Sequence, residues 1–142
     1  MAAPGSVFVT DTHPLVWFLT GDPKLTDDAR TILRRAQARE AVVYVPTIVL
    51  AEFLYLVRKG KVPLDHLLEL ALRLDGFSEF RVAPLDMQTF SRMLYILQFS
   101  PRPRPDLEIH DLSILATALL TGAKLITKDR KLRQQTLVET VW

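Results

Sequence analysis

The chain has 142 residues, 49% hydrophobic and 24% charged, with five Gly, nine Pro, three His and no Cys. That length supports one core burying roughly two-thirds of the unfolded chain's surface, and the absence of Cys excludes disulfides and thiolate metal sites. The formal charge of +2 is too small to mark a nucleic-acid binder by itself, and His13, His66 and His110 are too scattered to build a zinc site without relying mainly on carboxylates.

In chain order, Val7-Phe8-Val9 reads as a first strand ending at Asp11, and Pro14 opens a helix through Leu19. Thr26, followed by Asp27 and Asp28, predicts a capped helix to about Arg39. Val42 to Val45 is the second strand, closed by Pro46. Thr47 is expected to cap a helix through Lys59, stopped by Gly60, and a second helix from Leu64 to Leu74 completes a helical hairpin. Phe80-Arg81-Val82 is a brief third strand, after which Asp86 caps a helix to about Gln98. Residues Ser100 to Pro105 form a stiff, extended loop, and Asp106 is expected to cap a helix from Leu107 to Leu120, ended by Gly122. Lys124 to Thr127 and Leu137 to Val141 are the last strands.

Strands alternating with helices predict the α/β class, with a mainly parallel sheet of about five strands covered on both faces. One domain over residues 1–142 is expected. The start has no basic segment, and the apolar stretches near 47–57 and 64–74 are broken by Glu52, Asp65, His66, Glu69 and Arg73, short of the ~20 residues a bilayer span needs. A soluble protein of the reducing cytoplasm is the expectation.

In open parallel sheets, ligands bind beyond the carboxyl ends of the strands, where the strand order reverses. Four acidic residues occupy such places. Asp11 and Asp129 follow the first and fourth strands. Glu52 shares a helix face with Ile48 and Leu56, and Asp111 shares one with Leu115 and Ala118, so both point coreward. An ionised carboxylate on an apolar face is costly unless compensated, and no cation stands at helical spacing from either residue. A hard, oxygen-seeking ion such as Mg2+ or Mn2+ is therefore the expected partner of the cluster. A cation-loaded acidic crevice suits phosphoryl chemistry, and no glycine-rich phosphate loop is present, so a hydrolytic nuclease or phosphatase is expected ahead of a nucleotide-dependent enzyme.

Four segments carry a more specific signal: Val7-Phe8-Val9-Thr10-Asp11-Thr12-His13, Ile48-Val49-Leu50-Ala51-Glu52, Asp111-Leu-Ser-Ile-Leu-Ala-Thr-Ala-Leu119 and Leu125-Ile-Thr-Lys-Asp129. In this order and spacing the sequence resembles the PIN-domain ribonucleases, particularly the VapC-type toxins of toxin–antitoxin pairs, over almost its whole length. The resemblance implies a PIN-like three-layer α/β/α sandwich. It also implies a metal-dependent endoribonuclease whose catalytic and metal-binding quartet is Asp11, Glu52, Asp111 and Asp129, with Thr127 as a supporting hydroxyl. A homodimer and a small inhibitory antitoxin are implied as partners. Leu112 stands where many similar toxins carry Arg.

Arg102 and Arg104 in the proline-rich loop, with Lys128, Arg130 and Lys131 beside Asp129, are candidates for contact with RNA phosphates, against the commoner role of such charges as solvated surface. His13 and His110 adjoin two of the proposed ligands, although histidines so placed more often pack or hydrogen-bond. Trp17, Phe18, Phe53 and Tyr55 read as core or interface residues. Three other readings have sequence marks that this chain lacks. A phosphatase of the haloacid-dehalogenase kind wants Asp-x-Asp after the first strand, where position 13 is His. A receiver-like domain needs an acidic pair immediately after that strand. A PIN-like module that binds RNA or protein without turnover would be missing a carboxylate, and none is missing.

Overall fold

A computed structural model describes residues 6–99 and 107–142, the side chain of Phe77 excepted. Five strands, β1 (Val7–Thr10), β2 (Val42–Pro46), β3 (Phe80–Ala83), β4 (Lys124–Ile126) and β5 (Thr140–Val141), form one sheet in the order β3-β2-β1-β4-β5. Every pairing is parallel, with Val9 opposite Tyr44 on one side and Leu125 on the other. The helices are α1 (Thr12–Thr20), α2 (Asp27–Gln37), α3 (Thr47–Arg58), α4 (Leu64–Leu72), α5 (Met87–Phe99), α6 (Ile109–Thr121) and α7 (Arg130–Gln134).

The chain moves outward from β1 to β2 to β3, then returns across the sheet to β4 and continues to β5. With right-handed crossovers, that reversal places α1 to α4 on one face and α5, α6 and α7 on the other, which is the α/β/α sandwich expected from the alternation of elements. Buried on both faces, the central strands read as apolar runs: Val9, Val43, Val45, Leu125 and Ile126 have no solvent exposure. Leu15, Leu33 and Phe53 close over them from one layer, Ile114 and Leu115 from the other. The reversal also puts the carboxyl ends of β1 and β4 side by side, where the Asp11 N–H donates to the Ile126 carbonyl at 2.9 Å.

Several boundaries differ from the sequence expectation, each for a local reason. Thr47 is the first helical residue of α3, not its cap; Pro46 holds that position and the Thr47 hydroxyl donates to the Ala83 carbonyl, tying α3 to the end of β3. The second helix ends at Gln37 because Arg39 turns left-handed at φ +61°, where its side chain donates to the Gly76 carbonyl at 2.7 Å. The helix expected to reach Leu74 changes to one wide turn over Arg73–Phe77, with Gly76 at φ +96°. Glu108, not Asp106, is the N-cap of α6, which starts at Ile109. The last strand begins at Thr140 instead of Leu137 because the Gln135 side chain accepts from the N–H groups of Leu137 and Val138 and holds that stretch as a loop. The extended loop expected over 100–105, and Asp106, lie outside the described residues.

No helix among the described residues is long and apolar enough to cross a membrane. Phe53 is fully buried and, with Phe80, among the largest fully buried side chains of the described residues. Its replacement by Ala should lower the unfolding free energy by about 3–5 kcal/mol, read from the midpoint of urea denaturation at constant slope.

Candidate active site

The site begins where β1 ends. Asp11 is the N-cap of α1, so its carboxylate is fixed twice by its own neighbourhood: Oδ1 accepts from the Thr12 N–H at 2.8 Å and Oδ2 from the Thr127 hydroxyl at 2.7 Å. Thr127 immediately follows β4 and is fully buried; its Oγ1 also accepts from the Asp129 N–H at 3.0 Å. One hydroxyl thus sets the Asp11 side chain and the Asp129 backbone in register across the two central strand ends. Asp129 is half-buried and caps α7, Oδ1 accepting from the Lys131 N–H at 2.8 Å.

The other two acidic groups come from helices on opposite faces of the sheet. Glu52, in the middle of α3, is half-buried and accepts a hydrogen bond from the Thr12 hydroxyl. Asp111, two residues into α6, is buried at 2% exposure, its Oδ2 accepting the Glu108 N–H at 3.0 Å and so closing the first turn of α6. The capping bond locks this carboxylate's direction.

His110 stands between them. Its Nδ1 lies 3.0 Å from Glu52 Oε1, while Nε2 lies 3.7 Å from Asp11 Oδ1 and 3.9 Å from Asp111 Oδ1. Nε2 is buried and has no hydrogen-bond partner. Lys131, from the first turn of α7, brings Nζ to 3.5 Å from Asp111 Oδ2. The chain therefore supplies positive charge to this pocket from two positions that helical spacing alone did not identify. One is the neighbour of Asp111 in sequence; the other lies twenty positions further on, across the end of β4.

The electrostatics follow. Burial pushes the Asp11 carboxyl up, but the His110 imidazole, the Thr127 hydroxyl and the Thr12 N–H outweigh it and hold the group below the usual carboxylate range. Glu52 behaves alike, burial opposing and His110 and Thr12 prevailing. The Asp11 and Glu52 carboxylates hold the His110 imidazolium up to about 10 against the opposing effect of burial. Asp111 chiefly, then Asp129, raise Lys131.

The structure thus brings Asp11, Glu52 and Asp111 around one imidazole and joins Asp129 to them through Thr127 and Lys131. As they stand, no three His, Asp or Glu groups among the described residues converge on one ion-sized position. The acidic groups offer only oxygen donors, the kind a hard divalent cation takes, and two of the carboxylates, Asp11 and Asp111, are buried with His110 Nε2 at 3.7 and 3.9 Å from them. Lys128 places Nζ over the Trp17 ring at 4.9 Å from its centre, Arg130 is exposed, and Arg102 and Arg104 lie outside the described residues. His13 is exposed against Trp17.

Sequence reasoning did not single out Thr12, although a hydroxyl directly after a strand-end Asp and at a helix start is placed to bond such a site. Nor did it find α7, whose five residues are too short to show a period.

Comparison with known proteins fits this geometry. The PIN domain family matches residues 8–136, and the chain belongs to that family. No curated protein matches it. Among solved structures it is similar to a chain of VapBC2 from Rickettsia felis bound to a DNA fragment from their promoter, at 19% identity and a TM-score of 0.69, covering 95% of this chain and 97% of that one. DNA-bound VapBC from Salmonella typhimurium matches at 20% identity and a TM-score of 0.66, over 94% and 96% of the two chains. A toxin–antitoxin complex from Klebsiella pneumoniae matches at 20% identity and a TM-score of 0.59, over 93% and 95%. At these identities the likeness is one of fold.

The raised His110 value has a stability consequence in chelator-treated protein. An imidazole that titrates at 6.5 when unfolded and at about 10 when folded stabilises the fold fully below pH 6.5, and the contribution disappears as pH rises toward the folded value. Metal-free protein should therefore lose thermal stability between neutral pH and about 10. The His110→Gln variant should show a flatter profile over that window, as followed by circular dichroism.

Proposed function

We propose that the protein is a metal-dependent endoribonuclease, the toxin of a VapC-type toxin–antitoxin module, with Asp11, Glu52, Asp111 and Asp129 as its catalytic acidic set. The observation that carries this reading is the convergence of carboxylates from β1, α3 and α6 on one imidazole, beside the capping Asp129, at the reversal point of a PIN-domain sheet.

Asp11, Glu52, Asp111 and Asp129 would hold Mg2+ or Mn2+. Such an ion, when bound, neutralises phosphate charge and lowers the pKa of bound water so that hydroxide exists near neutral pH. The chain's own groups do the positioning. The Thr127 hydroxyl donates a hydrogen bond to Asp11 Oδ2, while Oδ1 accepts from the Thr12 N–H and faces His110. Thr12 holds Glu52 from the side opposite the imidazole. Val9 and Ile126 near the strand ends are fully buried and Asp11 and Asp111 are themselves buried, so charge at these two carboxylates is weakly screened.

RNA is the substrate we assign. Arg130 and Lys128 at the rim, with Arg102 and Arg104 from the proline-rich loop, are the residues proposed to meet its phosphates, and Lys131 is shared between that role and Asp111. An antitoxin partner is supported by the fold's likeness to chains from toxin–antitoxin complexes, and a homodimer in the cytoplasm completes the proposal.

Purified protein with total RNA should cleave when Mn2+ or Mg2+ is supplied and stop on chelation. Asp11→Asn should reduce cleavage at least about 100-fold while leaving the fold intact by circular dichroism. RNA that is bound but uncut under every metal condition would instead identify a non-catalytic binding module. Thr127→Val, which frees Asp11 Oδ2, should weaken Mn2+ affinity about tenfold in a calorimetric titration.

A further inference from the structure

Away from the carboxylates, the rim of the pocket carries a second group of side chains gathered on one indole. Trp17, one turn along α1 from His13, is buried at 8% exposure. Its ring has the His13 imidazole 5.6 Å away, centre to centre, at an interplanar angle of 51°. Lys128 Nζ stands 4.9 Å from the Trp17 centre and Lys24 Nζ 5.6 Å, and the Trp142 ring meets it at 6.0 Å. His13, Lys24 and Lys128 are all exposed. At its tilt the indole braces the imidazole without lying flat against it, and no hydrogen bond or ion pair ties the His13 side chain to any described residue.

This group is joined to the pocket through the backbone. His13 follows Thr12, whose N–H binds Asp11 and whose hydroxyl binds Glu52, and Lys128 directly precedes Asp129. A pocket lined by carboxylates repels a polyanion, so affinity for a nucleic-acid strand has to come from its rim. Cations there meet phosphates, and an exposed aromatic ring meets bases, each of which has a π-face. Histidine is among the side chains on which unpaired RNA bases stack.

We propose that the His13 imidazole, braced by Trp17, is a stacking platform for an unpaired base of the RNA strand, with Lys128 held on the same indole to meet the adjoining phosphate. This rests on the ribonuclease reading above and assigns it a substrate contact; it requires no particular metal geometry. His13 acts here as a binding residue that favours single-stranded RNA, where a base is free to leave its neighbours.

Fluorescence anisotropy with a single-stranded oligoadenylate tests the contact, in the Asp11→Asn background so that the strand stays intact. Adding His13→Ala should weaken binding about tenfold. His13→Gln, which keeps polar nitrogen and oxygen but no ring, should lose as much, whereas His13→Phe should bind within about twofold of the parent. An oligomer of abasic nucleotides, which has the phosphates without the bases, should bind all four proteins alike. Circular dichroism checks that each variant is folded.

Undiminished oligoadenylate binding by the folded Ala and Gln variants overturns the proposal. So does a loss that Phe fails to restore, which would make an imidazole nitrogen the contact, or an equal loss with the abasic oligomer, which would make it a phosphate contact. Those outcomes leave the ribonuclease reading standing. If neither the original chain nor Asp11→Asn binds or cuts RNA, that reading falls and this inference with it.

Discussion

A carboxylate taken out of water loses solvation worth on the order of several kcal/mol, and placing a second one beside it adds repulsion. Asp11 at 6% exposure and Asp111 at 2% accept both costs within one pocket, with Glu52 close by. The local architecture answers that constraint. Thr12, Thr127 and the Glu108 N–H donate to carboxylate oxygens, and His110 and Lys131 supply charge. Structural economy alone would have filled these positions with apolar side chains. Retaining the acids and surrounding them with donors is the arrangement expected of groups needed in ionised form.

The sheet makes the gathering possible. Where a parallel sheet reverses its order, the helices that follow two adjacent strand ends leave to opposite faces and open a crevice between them, and β1 and β4 meet there. Asp11 then caps α1 while Thr127 reaches it from the end of β4, a link spanning most of the chain's length in sequence. Glu52 arrives from α3 and Asp111 from α6, whose crossovers lie on opposite faces. Each face contributes one helix-borne carboxylate, and the two strand ends provide the rest, so the pocket has no single element whose loss it would survive.

The fold was legible because its signals are local. Apolar β-branched runs such as Val42-Val43 and Leu125-Ile126, turn residues such as Gly21 and Gly122, and caps such as Thr26 and Asp86 speak within a few positions of themselves, and the structure places strands, turns and caps there. The strand-end places of Asp11 and Asp129 and the buried place of Asp111 were legible for a related reason, since such positions can be counted from periodicity, whereas Glu52, expected to point coreward, is only half-buried. What sequence reasoning missed depends on pairs far apart. Lys131 reaches Asp111 only because α7 folds back beside α6, and helical spacing from Asp111 does not extend that far. Thr47 departs from its expected capping role because β3 offers a carbonyl that no local reading contains. His110 was visible beside Asp111, but its place between three carboxylates requires α1, α3 and α6 to be assembled first.

Internal counter-ions also bear on how such a pocket folds. In a structural zinc site the ligands repel and the apo chain is unfolded, so binding energy and folding energy are one quantity. Here the imidazole and the Lys131 ammonium face the buried acids from within the chain, and the strand-end hydrogen bonds fix them without any ligand. A pocket compensated in this way can fold without an external counter-ion. An external cation would have to displace charges that the chain already supplies, so its net gain would be a difference between two compensated states.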